Sequence, residues 1–165
     1  MKKTFLKIFL FAVLALSLFS CKKKETIVYS GAVRLYTSLS GEEVQNLKSE
    51  FENKYKGILF DYFYGDSEKI MEMLNEEMEL GQIEADVIFM GTFADMDDLK
   101  ADEMIKPYES NATKKIKKEY KDADSFYVGV NVPFDRLIPI ALVNNSLNET
   151  NGKYLIDFII DKYSE

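Results

Sequence analysis

The chain has 165 residues and no histidine, with 21 Lys and Arg against 28 Asp and Glu, for a formal net charge of -7. An acidic body excludes a nucleic-acid partner, which needs a basic face, and 10 Tyr with 12 Phe exclude a disordered composition. The length suits one domain with a sizeable core, and a single cysteine permits no internal disulfide.

Residues 1–20 read as a secretory signal. Lys2, Lys3 and Lys7 form a basic start, and Ile8 to Phe19 is an uncharged, mostly apolar run, too short for a membrane span of roughly 20 residues. The run ends at Leu18-Phe19-Ser20-Cys21, which resembles the lipobox of bacterial lipoproteins. That resemblance implies a lipidated Cys21 as the first mature residue and a membrane anchor through it. The alternative is an ordinary cleaved signal, or an N-terminal anchor helix with an incidental cysteine. Loss of the three lysines makes the mature chain more acidic still. Residues 21–31 form a polar tether, in which Lys22-Lys23-Lys24 either attract anionic head groups or are simply solvated.

Ala32 to Tyr36 reads as the first strand. A helix from Gly41 to about Lys54 carries the apolar stripe Val44, Leu47, Phe51 and Tyr55, and Gly57 ends it. Ile58 to Tyr64 is a second, aromatic-rich strand. Gly65-Asp66-Ser67 opens a second helix with Ile70, Met73, Leu74, Met78 and Leu80 on one face and Gly81 as its stop. At helical spacing its methionines are core rather than a soft-metal site. Ala85 to Met90 is a third strand, apolar enough to be buried on both faces, and ends at Gly91-Thr92. Phe93 to Ala101 follows as a helix, with Met96 and Leu99 inward and Asp95, Asp97, Asp98 and Asp102 as a solvated acidic face. Thr113 to Asp124 is surface helix or loop. Phe126 to Val130 and Leu137 to Val143 are two more strands, Pro139 marking the second as an edge or bent strand. Tyr154 to Tyr163 is helical.

The alternation of strand and helix predicts an α/β fold: a three-layer, parallel-type sheet with flanking helices. Right-handed crossovers place the strand-to-helix joints on one edge, where open α/β sheets bind ligands. The candidate ligand-binding residues are therefore Thr37, Ser38, Leu39 and Ser40 at the first joint, Asp66 and Ser67 at the second, and Gly91 and Thr92 at the third. Ser40 followed by Glu43 fits a capping box. Helix N-termini with spare hydroxyls suit a carboxylate, phosphate or other oxyanion, although any one Ser or Thr there, taken alone, reads first as a simple cap. Arg136, ahead of the last strand, either clamps an anion bidentately or forms a surface salt bridge. With no histidine and no cysteine in the body, the common nucleophile–base pairs are missing, and the chain reads as a non-enzyme.

Arg34–Ser40, Phe51–Gly57, Tyr64–Glu68, Ala85–Gly91 and Pro107–Ser110, in that order and spacing, resemble the N-terminal half of the type II periplasmic solute-binding proteins, nearest to the iron(III)-binding receptors of ABC transporters. The likeness runs from about Val33 to Leu147. It implies a lipid-anchored solute-binding component of an ABC importer, on the periplasmic or cell-surface side of the membrane. An ABC permease is the implied partner, and iron(III) or a small anion-bearing solute the implied ligand, with no other cofactor. Iron-binding members hold ferric ion with tyrosinates, often with a histidine and a glutamate, plus a synergistic anion; such oxygens suit a hard cation. Here the glutamate maps to Glu68, no histidine stands near Ser40, and the paired tyrosines belong to a second half not seen in this sequence. Similar relatives bind phosphorylated sugars, phosphonates, thiamine or polyamines. Because family members cross into a second lobe and return, the resemblance divides the chain into a first lobe, residues 32–135, and a crossover strand with the start of an incomplete second lobe, residues 136–165. It implies a truncated chain with apolar surface left bare where returning segments pack. The alternative from a different class is a structural or adhesive surface lipoprotein whose three joints are only caps.

Overall fold

The structure is a computed structural model that describes residues 28–163; the signal segment, Cys21 and Lys22-Lys23-Lys24 lie outside the described residues. Its strands are β1 (Gly31–Thr37), β2 (Ile58–Tyr64), β3 (Val87–Phe89), β4 (Ile105–Lys106), β5 (Tyr127–Val132) and β6 (Arg136–Val143). Its helices are α1 (Gly41–Lys54), α2 (Ser67–Glu79), α3 (Phe93–Ala101), the short α4 (Asn111–Lys115) and α5 (Glu149–Tyr163), with one 3-10 turn at Lys118–Tyr120.

The six strands make one sheet in the order β2-β1-β3-β6, and the far side of β6 is shared by β4 and β5. β1 pairs in parallel with β2 and β3, as two right-handed crossovers require. β6 runs antiparallel to β3, β4 and β5, so the sheet is mixed rather than parallel throughout. Pro139 does not put β6 at an edge: β6 is central. β3 pairs with it only from Ile140 to Leu142, so at Pro139 the β3 side is open and the missing N–H costs no bond there.

Period-2 alternation sends neighbouring side chains to opposite faces. Val33, Leu35, Val87, Phe89, Ile140 and Leu142 face one core, closed by Val44, Leu47 and Phe51 of α1 and by Leu155, Phe158 and Ile159 of α5. Tyr36, Ile88, Ala141 and Val143 face the other, closed by Ile70 and Leu74 of α2 and by Met96 and Leu99 of α3. The result is three layers. In α2 only Ile70 and Leu74 are buried; Met78, and Leu80 just after the helix, are exposed.

The described part of 136–165 belongs to the same sheet and core as the residues before it. β6 pairs antiparallel with β3 and α5 packs on the sheet. Gly152 lets the helix approach: a Cβ there meets Leu142 Cδ1 at 3.0 Å. The loop ahead of α5 is held by buried Asp86, whose carboxylate accepts from the Arg34 N–H at 2.8 Å, the Ser146 hydroxyl at 2.6 Å and the Asn148 N–H at 3.1 Å.

Candidate functional site

The three strand-to-helix joints meet at Thr37. Its side chain is fully buried, and its hydroxyl donates to the Phe89 carbonyl at 2.8 Å while accepting from the Leu39 N–H at 3.1 Å. The Ser38 N–H also donates to Phe89, at 3.2 Å, and the Gly65 N–H donates to the Thr37 carbonyl, at 3.2 Å. One residue thus ties the carboxyl ends of β1, β2 and β3 together.

Each joint then starts a capped helix. Ser40 caps α1 with the expected box: its hydroxyl accepts from the Glu43 N–H, and Glu43 accepts from the Ser40 N–H at 2.8 Å. Asp66 caps α2 through the Lys69 N–H at 2.8 Å. Thr92 caps α3 with a second box, formed with Asp95, whose carboxylate accepts from both the N–H and the hydroxyl of Thr92. Gly91 is required ahead of it, since its φ is +70° and a Cβ would lie 2.4 Å from Asp95 Oδ2. The acidic face of α3 is therefore partly committed: Asp95 caps, and Asp97 accepts from the Tyr127 hydroxyl at 2.7 Å.

Arg136 reaches the same edge from the other side of the sheet. β5 and β6 form a hairpin through Pro133-Phe134-Asp135, paired from Val132 and Arg136 inward. Pairing of β3 with β6 stops at Phe89 and Ile140, so the hairpin overhangs the joints by four residues of β6, about 13 Å. At its tip Phe134 and Asp135 adopt positive φ, and Phe134 is 89% exposed. The Arg136 guanidinium donates to the Pro133 carbonyl at 3.2 Å and pairs with the Glu43 carboxylate. Burial works to raise the Glu43 pKa, but the Ser40 N–H and hydroxyl and the Arg136 guanidinium outweigh it and hold the carboxyl below its ordinary value. The sequence marks Glu43 as a capping residue only; its pairing with Arg136 depends on a hairpin that folds over α1.

The predicted residues therefore divide. Ser38, Ser40, Asp66, Ser67, Gly91, Thr92 and Arg136 converge on one edge. Ser38 is partly exposed, and its hydroxyl has no partner within the described residues. The side chains of Thr37 and Leu39 do not face a ligand: the Thr37 hydroxyl is fully bonded, and Leu39 belongs to the core. Glu68 is exposed in the first turn of α2, and among the described residues no cluster of three acidic, His or Cys side chains is placed to hold a metal ion.

A cavity of about 480 Å³ opens at the opposite, amino edge, between Val28–Gly31 and Ser146–Asn151. Much of its polar lining is engaged: Ser146 and Asn148 bond Asp86, Asn151 donates to the Ser30 and Ala32 carbonyls, and Glu149 pairs with Lys106 and Lys153. The carboxyl edge keeps the Ser38 hydroxyl without a partner within the described residues, beside the Arg136 guanidinium that Glu43 holds.

No protein-family model matches the chain, and no curated protein matches it. Solved structures match its fold. Iron-bound HitA from Pseudomonas aeruginosa superposes with a TM-score of 0.53 at 16% identity, over 61% of this chain and 32% of that one. AfuA from Actinobacillus pleuropneumoniae, a periplasmic binding protein with exogenous fructose-6-phosphate bound, gives 0.53 at 19% identity over 61% and 32%. The periplasmic binding protein P5PA gives 0.66 at 12% identity, over 79% of this chain and 80% of that one. This chain spans about a third of the length of HitA and AfuA. The described residues have the fold of a type II periplasmic binding protein lobe.

Proposed function

We propose that the chain is the solute-binding component of an ABC importer, anchored outside the cytoplasm by lipid on Cys21, and that it takes a small anion-bearing solute at the carboxyl edge of its sheet. The observation that carries this reading is the joining of three helix starts by Thr37 with Arg136 folded over the same edge. Helix N–H groups, the Ser38 and Ser40 hydroxyls and a guanidinium form a donor set for a carboxylate or phosphate. HitA and AfuA carry iron and fructose-6-phosphate respectively, and this donor set suits the phosphate ester better than the bare metal. With no cluster of three metal-ligating side chains among the described residues, ferric ion would enter as a chelate whose anion meets Arg136, with Glu68 the carboxylate of the second joint that is not used as a cap.

Thermal unfolding of the purified chain with ferric citrate, fructose-6-phosphate and spermidine tests the proposal. A bound anion at 100-fold excess over its dissociation constant stabilises by about 2.7 kcal/mol. Arg136→Gln is expected to weaken that ligand about tenfold, the loss of one charge-assisted pair. No stabilisation by any of the three would favour a structural or adhesive surface protein whose joints only cap helices.

A further inference from the structure

β2 is an edge strand, and its composition makes that edge hazardous. Ile58-Leu59-Phe60-Asp61-Tyr62-Phe63-Tyr64 holds four aromatic residues, one charge and neither Gly nor Pro, the composition that favours strand-to-strand self-pairing. Among the described residues only one side of β2 is paired, to β1. Backbone groups alternate in direction along a strand. Because the Gly65 N–H reaches Thr37 on β1, Leu59, Asp61 and Phe63 also face β1, while Ile58, Phe60, Tyr62 and Tyr64 face outward.

Four of those outward groups, the Ile58, Phe60 and Tyr62 N–H and the Phe60 carbonyl, are occupied. The Ile58 N–H donates to the Tyr55 carbonyl at 3.1 Å. The Phe60 N–H donates to Glu52 Oε1 at 2.9 Å, and Lys48 Nζ donates to the Phe60 carbonyl. Lys48 and Glu52, one turn apart on α1, are themselves paired at 2.8 Å. The Tyr62 N–H donates to Asp61 Oδ1 at 2.9 Å, and the other oxygen of Asp61 is held by Arg34. An ammonium on the carbonyl and a carboxylate on the N–H of one residue reproduce what a neighbouring strand would supply.

We propose that Lys48 and Glu52 act as a built-in mimic of a missing strand, closing the outer edge of β2 to a second copy of this chain. The device is independent of any ligand at the carboxyl edge. Both side chains are partly exposed and sit on the solvent flank of α1, so removing them leaves Val44, Leu47 and Phe51 in the core.

The test is the solution mass of K48A/E52A over a tenfold concentration range by size exclusion with light scattering. The parent is expected to keep one mass, and the double variant to at least double its mass as concentration rises. Adding Tyr62→Pro removes an outward N–H without touching the β1 ladder, and is expected to return the double variant to the parent mass. A folded double variant with the parent's mass throughout overturns the proposal, and so does association that survives the proline. Should the double variant fail to fold by circular dichroism, K48A alone carries the same two outcomes.

Discussion

Thr37 shows how one hydroxyl organises a site it does not contact. Both of its bonds are buried; the one to Leu39 shapes its own joint and the one to Phe89 ties that joint to the end of β3. Thr37→Val keeps the shape but leaves the Leu39 N–H and one bond of the Phe89 carbonyl unmet, and is expected to cost about 2–4 kcal/mol in denaturant unfolding. Thr37→Ser keeps the hydroxyl and should lose only about 1 kcal/mol for its methyl group. An equal loss in both variants would make the methyl packing, not the bonds, the source of stability. Ser38, next in sequence, should show the reverse pattern: Ala there is expected to leave unfolding unchanged, because its hydroxyl makes no bond within the described residues.

Among the elements, the third joint is the most constrained. Gly91 has positive φ and stands against the Asp95 carboxylate that completes the α3 cap. Gly91→Ala forces both a strained backbone and displacement of Asp95, for an expected loss of about 2–3 kcal/mol. Asp95→Asn combined with Gly91→Ala should cost less than the sum of the two changes, since both break one cap. Helix starts of this kind were legible in the sequence because a cap is local: Ser40 with Glu43 lies within a single turn. The extent of α2's buried face was not. Met78 and Leu80 keep the helical spacing of core residues, yet whether that face is covered depends on what packs against it, and both are exposed. Pro139 misled for the same reason. Its missing N–H is a local fact, but whether a partner strand stands opposite depends on how far β3 extends.

At the scale of the molecule, α5 closes one face of the sheet, and its first turn is fixed by charge. Glu149 pairs with Lys106 of β4 and with Lys153 one turn on, and hydrogen bonds from Lys153 and then Lys106 pull its carboxyl down to about 2 from an ordinary 4.5. A depressed carboxyl stabilises the fold above the unfolded value. Its contribution is complete above about pH 4.5 and is lost as pH falls toward 2. Glu149→Gln is therefore expected to lower stability at neutral pH and to flatten the acid limb between those values. All three groups are partly exposed, so high salt should shrink the difference. Acid unfolding curves of the two proteins with identical slopes would remove Glu149 from the account.

The three alternating strand–helix units, their boundaries to within a few residues, and the convergence of their joints followed from sequence by itself. They rest on local periodicity, on capping residues, and on the single handedness of parallel crossovers. Tertiary structure decided the rest. β6 is central and antiparallel, α5 packs on the same sheet, Leu39 is core rather than site, and Arg136 meets Glu43 across the carboxyl edge. Each of these depends on which distant segments share one sheet face. A chain read residue by residue carries its own turns and caps, but not the partner that will stand opposite them.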